Sequence, residues 1–429
     1  MDKHRRTRIL YILQADFEYF ISLLVSGSFL AAVTAQLGIS DSLTGVISAI
    51  ISLGQAFQLL SIFMRKNIKR RVVLFSVMNQ LVFMCLYVIP LTELPPGWKA
   101  ALFIGAVTLA YFLYNIVHPK KIDWFMSMVE DGSRGRYTSV KEMVSLLTGM
   151  VFSYVMGSMS DYYRDIGQIR KSFAICAAVI FGLTVLHTLT MALAAEKEEG
   201  EEQEEQEEQE ERGGASSGTG RGGRFAIFRD RNVLRVTAVL VIWHAANYVA
   251  VPFYGSYQIK ELGFGLKYVS VLGILYSTVR ILFSFVWGAY ADKRSFARMM
   301  RACMAVAAVG CLINVFTVPE NGKLFFTTYY ICYAVAMAGI GNAAMNMVFD
   351  YVDAPKRADA LAVTQVVAGI CGFATTLLAS PLVTYIQENG NKFMGIHLYA
   401  QQVLSLLSCG LYLLAIGFLS AMFCRRSGA

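Results

Sequence analysis

Runs of about twenty apolar residues, separated by short polar stretches, recur along the whole chain. A helix rises only about 1.5 Å per residue and the hydrocarbon core offers no partner to backbone N–H and C=O groups, so ~20 such residues make one crossing. Twelve runs are predicted as helical spans: 10–34, 41–64, 72–92, 99–126, 137–158, 171–194, 233–253, 267–290, 300–318, 323–349, 359–383 and 397–424. Ten-residue segments of alternating polarity, the mark of a transmembrane barrel, do not stand out. The first run follows the basic lead-in MDKHRRTR, but Asp16 and Glu18 interrupt it and no convincing small-residue cleavage site follows. It is therefore expected to stay as the first helix.

Composition agrees: 56% of the 429 residues are hydrophobic and 13% aromatic, far from soluble averages. Placing both termini in the cytoplasm divides the 38 Lys and Arg residues as 29 inside, 8 outside and one within a span. That asymmetry sets the expected orientation. The net charge of +8 then reports topology and attraction to anionic lipid heads rather than nucleic-acid binding. All eight cysteines fall within predicted spans without a CxxC pair or a Cys/His cluster. Packing thiols are expected, with no metal site and no cofactor.

The spans divide six and six around residues 196–231, where repeated EEQ triplets and GGASSGTGRGG leave almost nothing apolar to bury. This segment is expected to be a disordered cytoplasmic tether between an N-terminal bundle (1–195) and a C-terminal bundle (232–429). The halves echo one another. LGISDSLTGVISAI ahead of span 2 matches LGFGLKYVSVLGIL ahead of span 8 at an offset of 225 residues, and RGRYTSVKEMV ahead of span 5 matches RADALAVTQVV ahead of span 11 at 223. Duplicated six-helix units allow one half to rock against the other around a midplane site.

With the 6+6 plan and the long central connection, GAYADK after span 8 (Gly288, Asp292, Lys293) and RGRY before span 5 resemble the major facilitator superfamily. The resemblance covers nearly the whole chain apart from the tether. It implies an all-α membrane protein, twelve transmembrane helices in two pseudo-symmetric six-helix bundles, working by alternating access. It also implies that Asp292 latches the cytoplasmic side against the start of span 5, near Arg134, Arg136 and Lys141, with Gly288 permitting close approach. The equivalent loop after span 2 reads SIFMRKNIKRRVVL and keeps Arg70 and Arg71 but lacks the Gly and Asp.

Polar residues inside spans carry the candidate chemistry, because an ionisable group there costs ~3 kcal/mol or more unless it meets a cavity or a partner. Arg280 is the one Lys or Arg near the middle of a span. It is read either as a contact for an anionic substrate group or as half of an ion pair. In span 1, Gln14, Glu18, Ser22 and Ser26 recur every four residues and share a face. Glu18 is the leading proton-titrating candidate, with structural pairing as the alternative, and Asp16 ranks below it. His244, Asn247 and Tyr248 share a face of span 7, and the resemblance places spans 1, 4, 7 and 10 around the cavity. Asn115 and His118 in span 4 and Asn342 and Asn346 in span 10 complete the candidate substrate set. These Asn residues read equally as interhelical glue. Lys120, Lys121 and Asp123 read as gate or interface residues.

No nucleotide-binding, HExxH or GxSxG motif appears in a usable context, so ATP-driven transport and enzymatic activity are not expected. The expected function is secondary transport of a small polar or amphipathic solute across the cytoplasmic membrane by a monomer among membrane lipids, driven by an ion gradient with protons through Glu18, or else uniport. The rival readings are a polytopic membrane enzyme or lipid-handling protein, and a transporter-like sensor.

Overall fold

The computed structural model describes residues 5–63, 67–129, 134–195, 230–353, 357–393 and 395–424. The tether lies outside the described residues except for its last two positions. All twelve predicted runs are helical. Ten of them, spans 3 to 12, are single helical stretches long and apolar enough to cross a membrane. The other two depart from the simple expectation. Span 1 is two helices, Arg5–Leu24 and Gly27–Gln36, bent by 42°. Span 2 is α-helical only over the 17 residues Asp41–Phe57 and then tightens into a 3₁₀ turn, Gln58–Phe63. A 3₁₀ turn rises about 2 Å per residue, so those six residues supply the missing length.

The bends have local causes. Gly27 has φ +53°, a backbone state that residues with a Cβ rarely adopt. Span 7, though it runs as one stretch, is also interrupted, without a positive-φ residue: helix Arg231–Tyr248 gives way to Val251–Ser256, with Pro252 in the new first turn where its missing N–H does no harm, and ends in a π-turn, Tyr257–Glu261. Interrupted helices at corresponding places in two halves mark the region where such bundles build binding sites.

Packing follows the six-and-six division. One apolar core is built from buried residues between Val233 and Leu419; two others come from buried residues between Tyr11 and Ala194, joined from the other half by Leu266, with Ile259 and Phe373 packed against it. The halves meet tightly at one end of the molecule, where span 1 finishes, span 2 begins, span 7 finishes and span 8 begins. Hydrogen bonds and ion pairs crossing between halves gather there. Ser28 bonds Gln258, Ser52 donates to the Gly369 carbonyl at 2.9 Å, and Ser42 meets Ser380 at 3.1 Å. Glycines allow this approach: a Cβ on Gly255 would stand 2.8 Å from the Gly27 carbonyl oxygen, and one on Gly157 would stand 2.7 Å from that of Leu266. Among the described residues, the ion pair and the helix-capping bonds that join the halves lie at this end, away from the one where the chain starts.

Candidate functional site

Glu18 sits in a closed network within the N-terminal half. Lys121 of span 4 forms an ion pair with its Oε2, and Gln14 Nε2, one turn earlier, donates to the same oxygen at 2.7 Å. The Lys121 side chain is 5% exposed and that of Glu18 19%. From span 6, His187 Nε2 lies 3.7 Å from that oxygen; the residue is fully buried, and among the described residues its ring nitrogens have no partner other than Glu18. Tyr114 and His118 of span 4 also lie within interaction distance of Glu18. His118 tilts over Tyr114 at 4.8 Å, and its Nδ1 has no hydrogen-bond partner among the described residues. Asp16 points elsewhere and accepts a hydrogen bond from Ser145 of span 5. The two acids of span 1 thus face different neighbours, as two residues ~200° apart on a helix must.

Lys121 reads from the sequence as a gate or interface residue because it lies near the charged end of span 4. The structure adds to that reading: the helix ends at Met126 as expected, yet Lys121, five residues before its end, is buried and turned to Glu18 rather than to the surface. His187 is a residue that sequence reasoning missed. The signal is there, a His in the middle of an apolar run, but span 6 is not among those expected to line the cavity.

The opposing wall belongs to the C-terminal half and is built of tyrosines. Arg280 is exposed on span 8, within interaction distance of Tyr276 one turn earlier and of Tyr19 on span 1 across the seam. It makes no ion pair among the described residues. Tyr276 packs against Tyr330 at 5.6 Å and stacks on Tyr333 at 5.9 Å. The Tyr333 hydroxyl donates to Asn247 Oδ1 at 2.9 Å, which ties this wall to span 7. There His244 stacks in parallel with Tyr248 at 5.8 Å and edge-on against Trp243 at 4.4 Å. The His244 Nδ1 is spent on the Leu240 carbonyl at 3.0 Å. Tyr248 packs beside Ser52 and Gly372, where spans 2, 7 and 11 converge.

The asparagines divide. Asn115 is buried, accepts from Gln58 Nε2 at 3.2 Å and donates to the Tyr111 carbonyl at 2.8 Å, so its amide joins spans 2 and 4. On span 10, Asn342 is exposed and Asn346 half-buried, with Asn346 Nδ2 on the Asn342 carbonyl at 2.8 Å.

At the end where the chain starts lie the residues of the expected cytoplasmic latch. Asp292 and Lys293 are exposed, Asp292 has no ion pair among the described residues, and a Cβ on Gly288 would meet open space. Lys141 lies over the Tyr11 ring at 5.2 Å. The Arg134 and Arg136 side chains lie outside the described residues.

The closed end carries two acidic latches that sequence reading did not find. Asp41, 5% exposed, receives Lys260 Nζ at 2.5 Å, Gln387 Nε2 at 2.7 Å and a hydrogen bond from Ser256. One carboxylate therefore ties span 2 to spans 7 and 11. Asp161 of span 5 accepts the backbone N–H groups of Leu266 at 2.9 Å and Lys267 at 2.8 Å. It caps the first turn of span 8, Leu266–Lys293, where N–H groups lack helical partners and the helix dipole favours an anion. A groove of about 660 Å³ opens beside this end, lined by Leu262, Phe264, Tyr268, Glu320 and Lys323 among others. It lies among connecting loops, apart from Glu18 and Arg280.

The whole arrangement is one of two helical bundles joined by polar contacts toward one end. A buried acid stands on one wall, and on the other a cation with no acid beside it among the described residues. Solved structures of that architecture are similar across nearly the full length. A point variant of the nucleoside transporter NupG aligns with TM-score 0.74 and 12% identity over 97% of this chain and 100% of that one. A D-xylose-proton symporter aligns with TM-score 0.67 and 12% identity over 95% and 96% of the two chains. An auto-inhibited peptide transporter of the POT family gives 0.68 and 12% over 98% and 97%. At such identities the likeness is one of fold. No curated relative matches the sequence. The family model of the Major Facilitator Superfamily matches residues 17–376, the greater part of both bundles, and the chain belongs to that superfamily of transporters.

Proposed function

We propose that this protein is a proton-coupled secondary transporter that carries a small polar or amphipathic organic solute across the cytoplasmic membrane by alternating access. The observation that carries the reading is Glu18: a carboxylate within an apolar span, paired with Lys121 and faced by the buried His187 of span 6. With both termini in the cytoplasm, the end where the chain starts faces inward and the latches of Asp41 and Asp161 close the outer face. In this reading a proton reaching Glu18 removes the charge that holds Lys121. The released ammonium then changes how spans 1 and 4 pack, and the two halves rock about the solute. His187 is the nearest base to the carboxylate oxygen and serves as its exchange partner. The neighbours named a nucleoside transporter, a sugar-proton symporter and a peptide transporter support the solute range without choosing within it.

The test uses proteoliposomes in a mixture of sugars, amino acids, nucleosides and organic acids under an imposed pH gradient, with vesicle contents read by mass spectrometry. At least one solute is expected to accumulate over protein-free vesicles, and a protonophore should abolish the accumulation. Glu18→Gln should lose gradient-driven accumulation while keeping exchange of labelled for unlabelled solute. Accumulation unchanged in Glu18→Gln would remove the proton role.

A further inference from the structure

Arg280 and its surroundings name the kind of solute, an inference that rests on the proposed transport function and narrows it. We infer that the cavity binds a small organic anion with a flat ring or conjugated system, its anionic group on Arg280 and its ring among the tyrosines.

The argument starts from unpaired charge. The ionised pair of the opposite wall is internally matched, since Glu18 has Lys121, and Asp16 is held by Ser145. Arg280 is left without a carboxylate among the described residues, which discards the alternative of an ion pair with an acid of span 1. A guanidinium cannot shed its proton, and its planar fork of donors fits carboxylate or phosphate oxygens two at a time. With the cavity open, water solvates it. Once the halves close and water leaves, an unpaired cation at mid-membrane depth is costly, and an anion bound there removes the cost. Closure around a loaded site is thereby favoured over closure around an empty one.

The neighbours of Arg280 specify the remainder of the ligand. Tyr276 and Tyr19 flank the guanidinium, and Tyr330 and Tyr333 extend the same surface from span 10. Stacked and edge-on aromatic contacts reward a flat partner over an aliphatic chain of equal size. Asn247, fixed by the Tyr333 hydroxyl, stands at the end of this wall and offers its amide N–H₂ to a polar substituent.

The experiment is thermal unfolding of the full chain in lipid nanodiscs against matched probes. Benzoate, nicotinate and indole-3-acetate are compared with their neutral amides, with cyclohexanecarboxylate and hexanoate, and with sugars and nucleosides. Ring-bearing anions are expected to raise the midpoint, aliphatic anions less, and the neutral amides not at all. Arg280→Gln should weaken the best anion about ten- to a hundredfold, the effect of losing a charge-assisted bond. Without ligand, its midpoint should equal or exceed that of the parent, because no native ion pair is lost. A fall in that unliganded midpoint, hits confined to neutral or cationic probes, or no hit in the panel would each overturn the inference. An anion that binds through Arg280 yet never accumulates in proteoliposomes would overturn transport alone and leave the anion site standing.

Discussion

Replacing Lys121 with Met is expected to destabilise the folded protein by about 3–5 kcal/mol, and adding Glu18→Gln to the same chain should restore most of that loss. The reasoning is an asymmetry of charge. Two opposite charges inside a low-dielectric bundle satisfy one another, so the pair as a whole adds little net stability. Removing only the ammonium leaves a carboxylate facing His187, Tyr114 and Gln14, none of which carries a fixed positive charge. The cost is that of an uncompensated buried ion. Unfolding in detergent, followed by intrinsic fluorescence, would report it as a large drop in midpoint for Lys121→Met and a small one for the double variant. Equal drops in both would mean that Lys121 acts through packing of its alkyl stem, and the pair would lose its place in the mechanism. Proton coupling should vanish in both variants and in Glu18→Gln alone, which separates what the pair does for stability from what it does for transport.

Much of the architecture is legible in the sequence because crossing a membrane is a question of length. Twenty apolar residues make a helix whatever their order, so all twelve spans can be placed. The bends are not placed that way, although Ser26-Gly27-Ser28 and the Val251-Pro252 step carry the residues that cause them. Glu18 and Arg280 stand out for a similar reason, since isolated charges inside long apolar runs demand an explanation. Their partners do not. Lys121 is 103 residues from Glu18, and whether a Lys near the end of a span reaches the interface or turns inward depends on which residues of other spans stand beside it. The same limit hides Asp41 and Asp161. Each reads as an ordinary loop or helix-end residue until the two halves are brought together, and their roles exist only across that seam.

The second large effect concerns the seam itself. Asp161→Ala should move the protein toward the form in which the closed end opens, by roughly tenfold or more. The aspartate accepts two backbone N–H groups of the opposite half, Leu266 and Lys267, and each such charge-assisted bond contributes about 1.5–3 kcal/mol. These bonds exist only while spans 5 and 8 are together at this end, so their loss falls on one state of the equilibrium and leaves the other untouched. A cysteine in place of Ser42, which meets Ser380 on the separate seam between spans 2 and 11, reports opening without touching the latch. Its labelling by a membrane-impermeant maleimide should accelerate by that factor in Asp161→Ala, after subtracting protein that lacks the added cysteine. Gly157→Val tests the same seam by steric means. Its Cβ would press on the Leu266 backbone, which cannot swing aside as a side chain can, so it should open this end at least as far. If neither substitution changed the labelling rate, spans 5 and 8 would be a fixed hinge, and the burden of closing this face would pass to Asp41 and its three partners from spans 7 and 11.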